Sequence, residues 1–181
     1  MEIKKLPKLN IDDITFVREK TNNKKKIHYS ILINEKQKIS FTISNVNVPF
    51  GFEEFGKKRI LNIEISKDKH SDVDKLISYL EDNIEKVISN KTISTEFIED
   101  VAGKKYYKNI KSSKYGKIIR TYVLHDPEIY AMIGCNKMPM SSIDLKKTIC
   151  NINMEINGIW INNTDYGLLL YVREIQILSS Y

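Results

Sequence analysis

The sequence predicts a mainly β protein with one or two helices, folded as an antiparallel barrel with enlarged loops. Apolar and polar residues alternate in the first and last thirds of the chain, which is the period of a half-buried strand. One long segment between them has the period of a helix. Strands and helices do not alternate along the chain, which argues against a parallel β/α fold and favours a barrel.

The first third is expected to form an antiparallel meander. Polar clusters at 21–23 and 34–38 supply its turns, and a segment with three phenylalanines, 49–56, interrupts the alternation. The strands are predicted at Ile14–Phe16, Ile27–Ile33, Ile39–Ile43 and Ile60–Ser66.

The clearest predicted element is a helix that begins near Ser71 and ends at Asn90. Its apolar residues follow the i, i+3, i+4, i+7 rule and are Val73, Leu76, Ile77, Leu80, Ile84, Val87 and Ile88. Ser71 is the predicted N-cap, and Asp72 and Asp74 place negative charge in the first turn, where the helix dipole favours it.

The last third is predicted to return to strands after a poorly patterned stretch and a long connection, 125–142. Gly158 is expected to mark a bulge. The strands are predicted at Ile118–Leu124, Cys150–Ile156 and Leu168–Leu178. Among small barrels, the five-stranded oligonucleotide-binding (OB) type carries a helix between its third and fourth strands, and this arrangement is the one predicted.

The chain of 181 residues is expected to form a single domain, 1–181, in which residues 1–10 are a flexible basic arm. No apolar run approaches the roughly 18 residues that cross a bilayer, so a soluble, unsecreted, cytoplasmic protein without a membrane partner is expected. Cys135 and Cys150 form no metal-binding pattern and are interpreted as small apolar residues. No cofactor and no metal are expected.

A basic segment without any acidic residue, Val101–Leu124, is the main functional signal. Its cations are Lys104, Lys105, Lys108, Lys111, Lys114, Lys117 and Arg120, and its tyrosines are Tyr106, Tyr107, Tyr115 and Tyr122. Cations bind phosphates and flat rings stack on exposed bases, so this combination indicates binding of single-stranded nucleic acid. A solvated lysine-rich loop anchored by its tyrosines is the alternative.

Within this segment we expect a loop-like backbone, with Tyr106 and Tyr115 as the better stacking candidates and Tyr107 and Tyr122 mainly structural. Phe52, in the phenylalanine segment, is a further binding candidate, although that loop is more simply explained as pinned to the barrel by Phe50 and Phe55. Trp160 is expected to serve the core rather than to stack on a base.

The balance of basic residue types predicts binding without sequence preference. Only four of the 29 basic residues are arginines, and arginine makes the bidentate contacts that dominate base readout, whereas lysine suits phosphate. Two more basic groups, Lys4–Lys8 and Lys24–Lys26, would extend a binding track, or are simply a frayed terminus and a polar hairpin tip.

Three segments carry a resemblance to a known family. They are Val46-Asn-Val-Pro-Phe-Gly-Phe-Glu-Glu-Phe-Gly, the basic tyrosine segment, and the ending from Gly158-Ile-Trp-Ile to Tyr166-Gly-Leu-Leu-Leu-Tyr-Val-Arg. Together they resemble the single-stranded DNA-binding proteins of large cytoplasmic DNA viruses and of yeast cytoplasmic linear plasmids. The resemblance implies an OB-type fold, strand coating during DNA replication and no enzymatic activity.

The sequence therefore favours a non-enzymatic single-stranded DNA-binding protein that protects unwound DNA of a viral or plasmid genome. The alternatives are a structural or virion nucleoprotein and an RNA-binding protein. Replication proteins are expected partners, and the apolar final strand leaves a homo-oligomer through strand edges open. No clustered carboxylates, Gly-rich phosphate loop or nucleophile motif indicates an enzyme.

Overall fold

The fold is described here from a computed structural model. The structure describes residues 4–5, 7–8, 10, 13–19, 27–33, 37–55, 58–66, 68–90, 95–114, 116–123, 130–133, 136–139 and 142–180. The strands are β1 (Ile14–Arg18), β2 (Ile27–Ile33), β3 (Gln37–Val48), β4 (Phe52–Phe55), β5 (Lys58–Ile65), β6 (Lys105–Tyr106), β7 (Ile110–Ser113), β8 (Gly116–Val123), β9 (Tyr130–Ile133), β10 (Asn136–Pro139), β11 (Thr148–Ile161) and β12 (Asp165–Ser180). The helices are α1 (Ser71–Asn90) and α2 (Thr95–Val101).

Five strands form a closed path of hydrogen-bonded neighbours, in the order β3, β5, β8, β12, β11 and back to β3. The β8–β12 pair is parallel and the other four are antiparallel. This is the strand order of an OB-type barrel, and the predicted fold class is confirmed. The path is thin at two seams, because β3 and β5 share one residue pair and β8 and β12 share two.

The core fills the inside of this partly closed barrel. Alternate residues of the barrel strands are buried there, among them Leu61 and Ile63 of β5, Ile119 of β8, and Leu168 and Leu170 of β12. A strand presents successive side chains to opposite faces, so the residues between these lie on the outer face of the barrel.

Helix α1 spans the predicted residues and packs the apolar face around Ile77 and Leu80 against the core. Its place in the chain differs from the prediction, because it lies between the second and third barrel strands rather than the third and fourth. The N-cap also differs by one residue. The carbonyl of His70 accepts the first helical hydrogen bond, from Asp74 N–H, so His70 takes the position predicted for Ser71.

Several short elements were not predicted. Helix α2 lies in the poorly patterned stretch, where Phe97 is fully buried and its ring contacts those of Phe16 and Tyr29. Seven residues are too few to display a helical period. Strands β9 and β10 form an antiparallel pair in the segment predicted as a connection, and β9 also pairs in parallel with β12.

Strand β11 changes partner at Gly158. Up to Ile156 it pairs with β3, and from Ile159 it pairs with β2. Gly158 has a φ of +146° and follows a register shift against β12, so the predicted bulge is confirmed. A Cβ at this position would lie 1.9 Å from the carbonyl oxygen of Tyr29, so only glycine allows β2 to cross here.

Some predictions fall outside the described residues. Tyr115, Lys24–Lys26 and Cys135 belong to this group. In the predicted basic arm, Lys4 donates its backbone N–H to Thr42 Oγ1, and its carbonyl accepts the Thr42 N–H. Among the helices of the described ranges, none is both long and apolar enough to cross a membrane.

Candidate nucleic-acid interface

The outer face of β8 and β12 carries aromatic and cationic side chains. Arg120 and Tyr122 lie between the inward-facing Ile119, Thr121 and Val123, and Tyr171 lies between two buried residues of β12. Tyr122 and Tyr171 are register partners across the parallel seam. Burial raises the pKa of both phenols, so both remain neutral donors at physiological pH.

Beyond the two register pairs that join them directly, β8 and β12 are connected through a crossing segment, Lys105–Asn109. Tyr107 donates its backbone N–H to the Tyr166 carbonyl at 2.7 Å. At the other end of the segment, the Asn109 carbonyl accepts the Arg120 N–H and the Asn109 side-chain amide donates to the Leu168 carbonyl. The crossing segment therefore completes the barrel wall and fixes its own side chains on the outer face.

Helix α1 holds the crossing segment from behind through a buried carboxylate. Glu81 Oε1 accepts the backbone N–H of Asn109 at 2.9 Å, and only 6% of Glu81 is exposed. Burial raises the pKa of Glu81, while the Asn109 N–H opposes that rise. Asn109 itself is 3% exposed, so its position is set by both the helix and the barrel.

Tyr107 is the centre of a cationic cluster on the outer face. Its hydroxyl accepts hydrogen bonds from Lys111 Nζ at 2.5 Å and from Arg120 Nη1 at 2.9 Å. The Lys111 ammonium also lies 4.0 Å from the ring centroid. In the described part of the chain, no carboxylate lies within ion-pair distance of Lys111 or Arg120. Two cations thus share one neutral acceptor, and the local potential favours an anion.

The aromatic surface continues on both sides of this cluster. The Trp160 ring lies 6.1 Å from the Tyr107 ring, over Gly167 of β12, where any Cβ would meet the Tyr107 carbonyl at 2.8 Å. On the other side, Lys58 Nζ lies 5.2 Å from the Tyr122 ring centroid. We call the set Tyr107, Lys111, Arg120, Tyr122 and Tyr171 the aromatic-cationic strip.

A cavity of about 250 Å³ adjoins this strip. Its lining residues are Phe50, Asn62, Asn109, Lys111, Ser112, Ile118 and Arg120. Phe50 is 37% exposed, whereas Phe52 is partly buried against the core with the Arg59 guanidinium 5.6 Å from its ring centroid. Of the two rings, Phe50 rather than the predicted Phe52 reaches the surface that carries the strip.

The structure reverses the expected order of Tyr106 and Tyr107. The Tyr106 ring packs edge-on against Tyr166 and contacts the core, and its hydroxyl is buried beside the Glu81 carboxylate. Burial, followed by the negative charge of Glu81, raises the pKa of Tyr106 strongly. Adjacent residues of an extended segment face opposite ways, so Tyr107 takes the outer position while Tyr106 serves packing.

The other predicted cations spread over several surfaces. Lys117 donates to Asp74 of α1 at 2.6 Å, and Lys104 donates to the Asn163 carbonyl in the loop between β11 and β12. Lys105, Lys108 and Lys114 are exposed. The backbone here is less loop-like than predicted, because 110–113 and 116–123 form the β7–β8 hairpin. Of the seven cations, Lys111 and Arg120 are brought together.

Tyr171, Lys58 and Arg173 were not predicted as site residues. Arg173 forms a bidentate pair with Glu155, and its guanidinium carbon lies 5.9 Å from the Tyr171 ring centroid. Burial opposes ionisation of Glu155, yet Arg173 and then Lys38 hold its pKa below the usual range. The alternation of Leu168, Leu170 and Val172 with Tyr171 signalled an outward ring, but its neighbours come from distant strands.

Among the residues that the structure describes, no three His, Cys, Asp or Glu side chains lie close enough together to hold a metal ion. Cys150 is fully buried in the core, where burial raises the pKa of its thiol to about 11. The chemistry that the site offers is therefore hydrogen bonding, positive charge and aromatic contact.

The comparisons with known proteins concern the fold. No family model matches the sequence, and no curated protein does. Among solved structures, the chain is similar to a protein described as "Single-stranded DNA-binding protein from bacteriophage Enc34, C-terminal truncation". The TM-score is 0.53 at 14% identity, and the match covers 92% of this chain and 96% of that chain. The likeness supports the OB-type architecture.

Proposed function

We propose that this chain binds single-stranded DNA along the aromatic-cationic strip, without requiring a particular sequence. The observation that carries the proposal is the cluster in which Lys111 and Arg120 converge on the Tyr107 hydroxyl with no acidic partner among the described residues. Cations beside exposed rings suit a strand whose phosphates and base faces are both accessible.

The geometry favours a single strand over a duplex. Tyr107, Tyr122 and Tyr171 present rings on one face, and a base can stack on such rings only when it is not paired within a helix. Lys111 already covers the Tyr107 ring through a flexible exposed side chain. A base that stacks there would displace the ammonium, which can then turn to a neighbouring phosphate.

Two further observations support the proposal. The phage protein that shares this fold is named for binding single-stranded DNA. The sequence resembles the corresponding proteins of cytoplasmic viruses and linear plasmids. We accordingly propose a non-enzymatic role in protecting unwound DNA while a viral or plasmid genome is replicated in the cytoplasm, alongside the replication proteins that unwind and copy it.

The direct test is fluorescence anisotropy with labelled single-stranded DNA, duplex DNA and single-stranded RNA of about 30 nucleotides, longer than one OB-type site. We expect tight binding of the DNA strand, weaker binding of RNA, and the weakest binding of duplex. Equal affinity for duplex and single strand would contradict a stacking site and favour a structural nucleoprotein. Tightest binding of RNA would replace DNA by RNA as the ligand.

A further inference from the structure

The cavity beside the strip has the dimensions of a site for one small ring system. Its volume of about 250 Å³ lies just below the roughly 300 to 1,000 Å³ of pockets that hold drug-sized molecules. The Phe50 ring and the Ile118 side chain supply apolar surface, and Asn109, Lys111 and Arg120 supply polar groups. Apolar walls with a few polar groups suit a flat heterocycle.

Two of the lining residues carry buried polar atoms that the protein leaves unpaired. Asn109 Oδ1 and Arg120 Nε are both inaccessible to solvent, and neither has a hydrogen-bond partner among the described residues. Each such atom is costly to leave unsatisfied. A ligand that offers a donor to Asn109 and an acceptor to Arg120 would relieve both.

The remaining groups of these two residues are already engaged, which fixes their orientation. Asn109 Nδ2 donates to the Leu168 carbonyl at 3.1 Å, so the amide cannot exchange its oxygen and nitrogen without losing that bond. The backbone N–H of Asn109 is held by Glu81, and Arg120 Nη1 is bound to Tyr107. The unpaired acceptor and donor are therefore built into a rigid site.

We propose that this cavity takes one base of the bound strand and prefers guanine; the inference rests on the proposed function. Guanine presents the O6 and N7 acceptors beside the N1–H donor, and this edge matches Arg120 and Lys111 together with Asn109 Oδ1. Adenine in the same placement turns an amino group toward the cations and a bare ring nitrogen toward Asn109. Binding then has no required sequence but one position with a preference.

The test compares two oligodeoxycytidines that differ in a single central purine, dG or dA, in a fluorescence competition assay at neutral pH. We expect the dG strand to bind about five- to 150-fold more tightly, the range of one good base-edge contact. Equal binding of both strands would overturn the guanine site and leave the proposed function standing. Failure of both strands to bind would overturn the proposed function as well.

The assignment to this cavity is tested with Arg120→Lys, which keeps the positive charge and removes Nε. We expect affinity for the dA strand to stay within about twofold and the preference for dG to be lost. Lys75→Arg, on the exposed face of α1, is the matched control and should retain the preference. An undiminished preference in Arg120→Lys would overturn the assignment.

A second measurement uses the unmodified chain and so does not depend on how a variant folds. The central base is replaced by 6-thioguanine, and the photo-cross-linked peptide is identified by mass spectrometry. We expect cross-links in the peptides that contain Phe50 or the β7–β8 hairpin. Cross-links confined to peptides outside the cavity would overturn the inference.

Discussion

Residues 106 and 107 divide packing and binding between two adjacent tyrosines. Tyr106 is fixed inside by Tyr166 and by the buried Glu81, whereas Tyr107 holds two cations on the outer face. The two side chains have the same chemistry, so the difference between them comes from which side of the crossing segment each occupies.

This division predicts opposite phenotypes for two alanine variants. Tyr107→Ala should lose about 1–3 kcal/mol of single-stranded DNA binding, the value of one stacked base, with little change in the free energy of unfolding. Tyr106→Ala should lower the free energy of unfolding by about 3 kcal/mol, since a large buried ring is removed. Anisotropy titrations and urea unfolding of both variants measure the two quantities. A binding defect confined to Tyr106→Ala, at unchanged stability, would reverse the assignment.

At the scale of elements, the barrel is held together where its strands do not pair directly. The crossing segment joins β8 to β12, and α1 supports that segment through Glu81. On the opposite side, β2 crosses β11 at Gly158, and α2 attaches to β1 and β2. Arg18 bonds Glu96 and Asp100, and Tyr29 donates to Asp100 at 2.7 Å.

The crossing at Gly158 predicts a large effect of one methyl group. Gly158→Ala should lower the free energy of unfolding by about 3–5 kcal/mol, because it adds a backbone clash to a strained φ. Gly103→Ala is the matched control, since its φ of +71° is also positive but nothing lies within 4 Å of the added Cβ. It should cost about 1 kcal/mol. Equal losses in urea unfolding would mean that backbone strain alone, and not the contact with Tyr29, restricts position 158.

At the scale of the whole molecule, the formal charge of +6 matters less than where the charge lies. Several cations are offset by neighbouring acids, such as Lys117 by Asp74 and Arg59 by Glu54. Lys111 and Arg120 have no such partner in the described ranges, so the field is concentrated on the face that carries the strip.

The salt dependence of binding should therefore follow position rather than net charge. Lys111→Gln should lower the slope of log K against log salt by about 0.7, the loss of one phosphate contact to a single strand. Lys117→Gln removes the same charge from a lysine already paired 2.6 Å from Asp74, and should leave the slope unchanged. The measurement is anisotropy over a series of salt concentrations. An equal decrease in both variants would show that only the net charge matters.

The sequence by itself determined the β-rich class, α1 with its final residue Asn90, the main strands and the bulge at Gly158. These features follow from local periodicity and single-residue conformational limits, which neighbouring residues alone express. The sequence also marked the basic tyrosine segment as the candidate interface.

The tertiary structure decided which members of that segment meet, and with what. Lys111, Arg120 and Tyr107 converge because the β7–β8 hairpin and the crossing segment fold onto one face, while Tyr122 meets Tyr171 across a seam nearly 50 residues apart in sequence. Phe50 enters the same cavity from the loop before β4. Such contacts depend on strand pairing between distant segments, and no local period encodes that pairing.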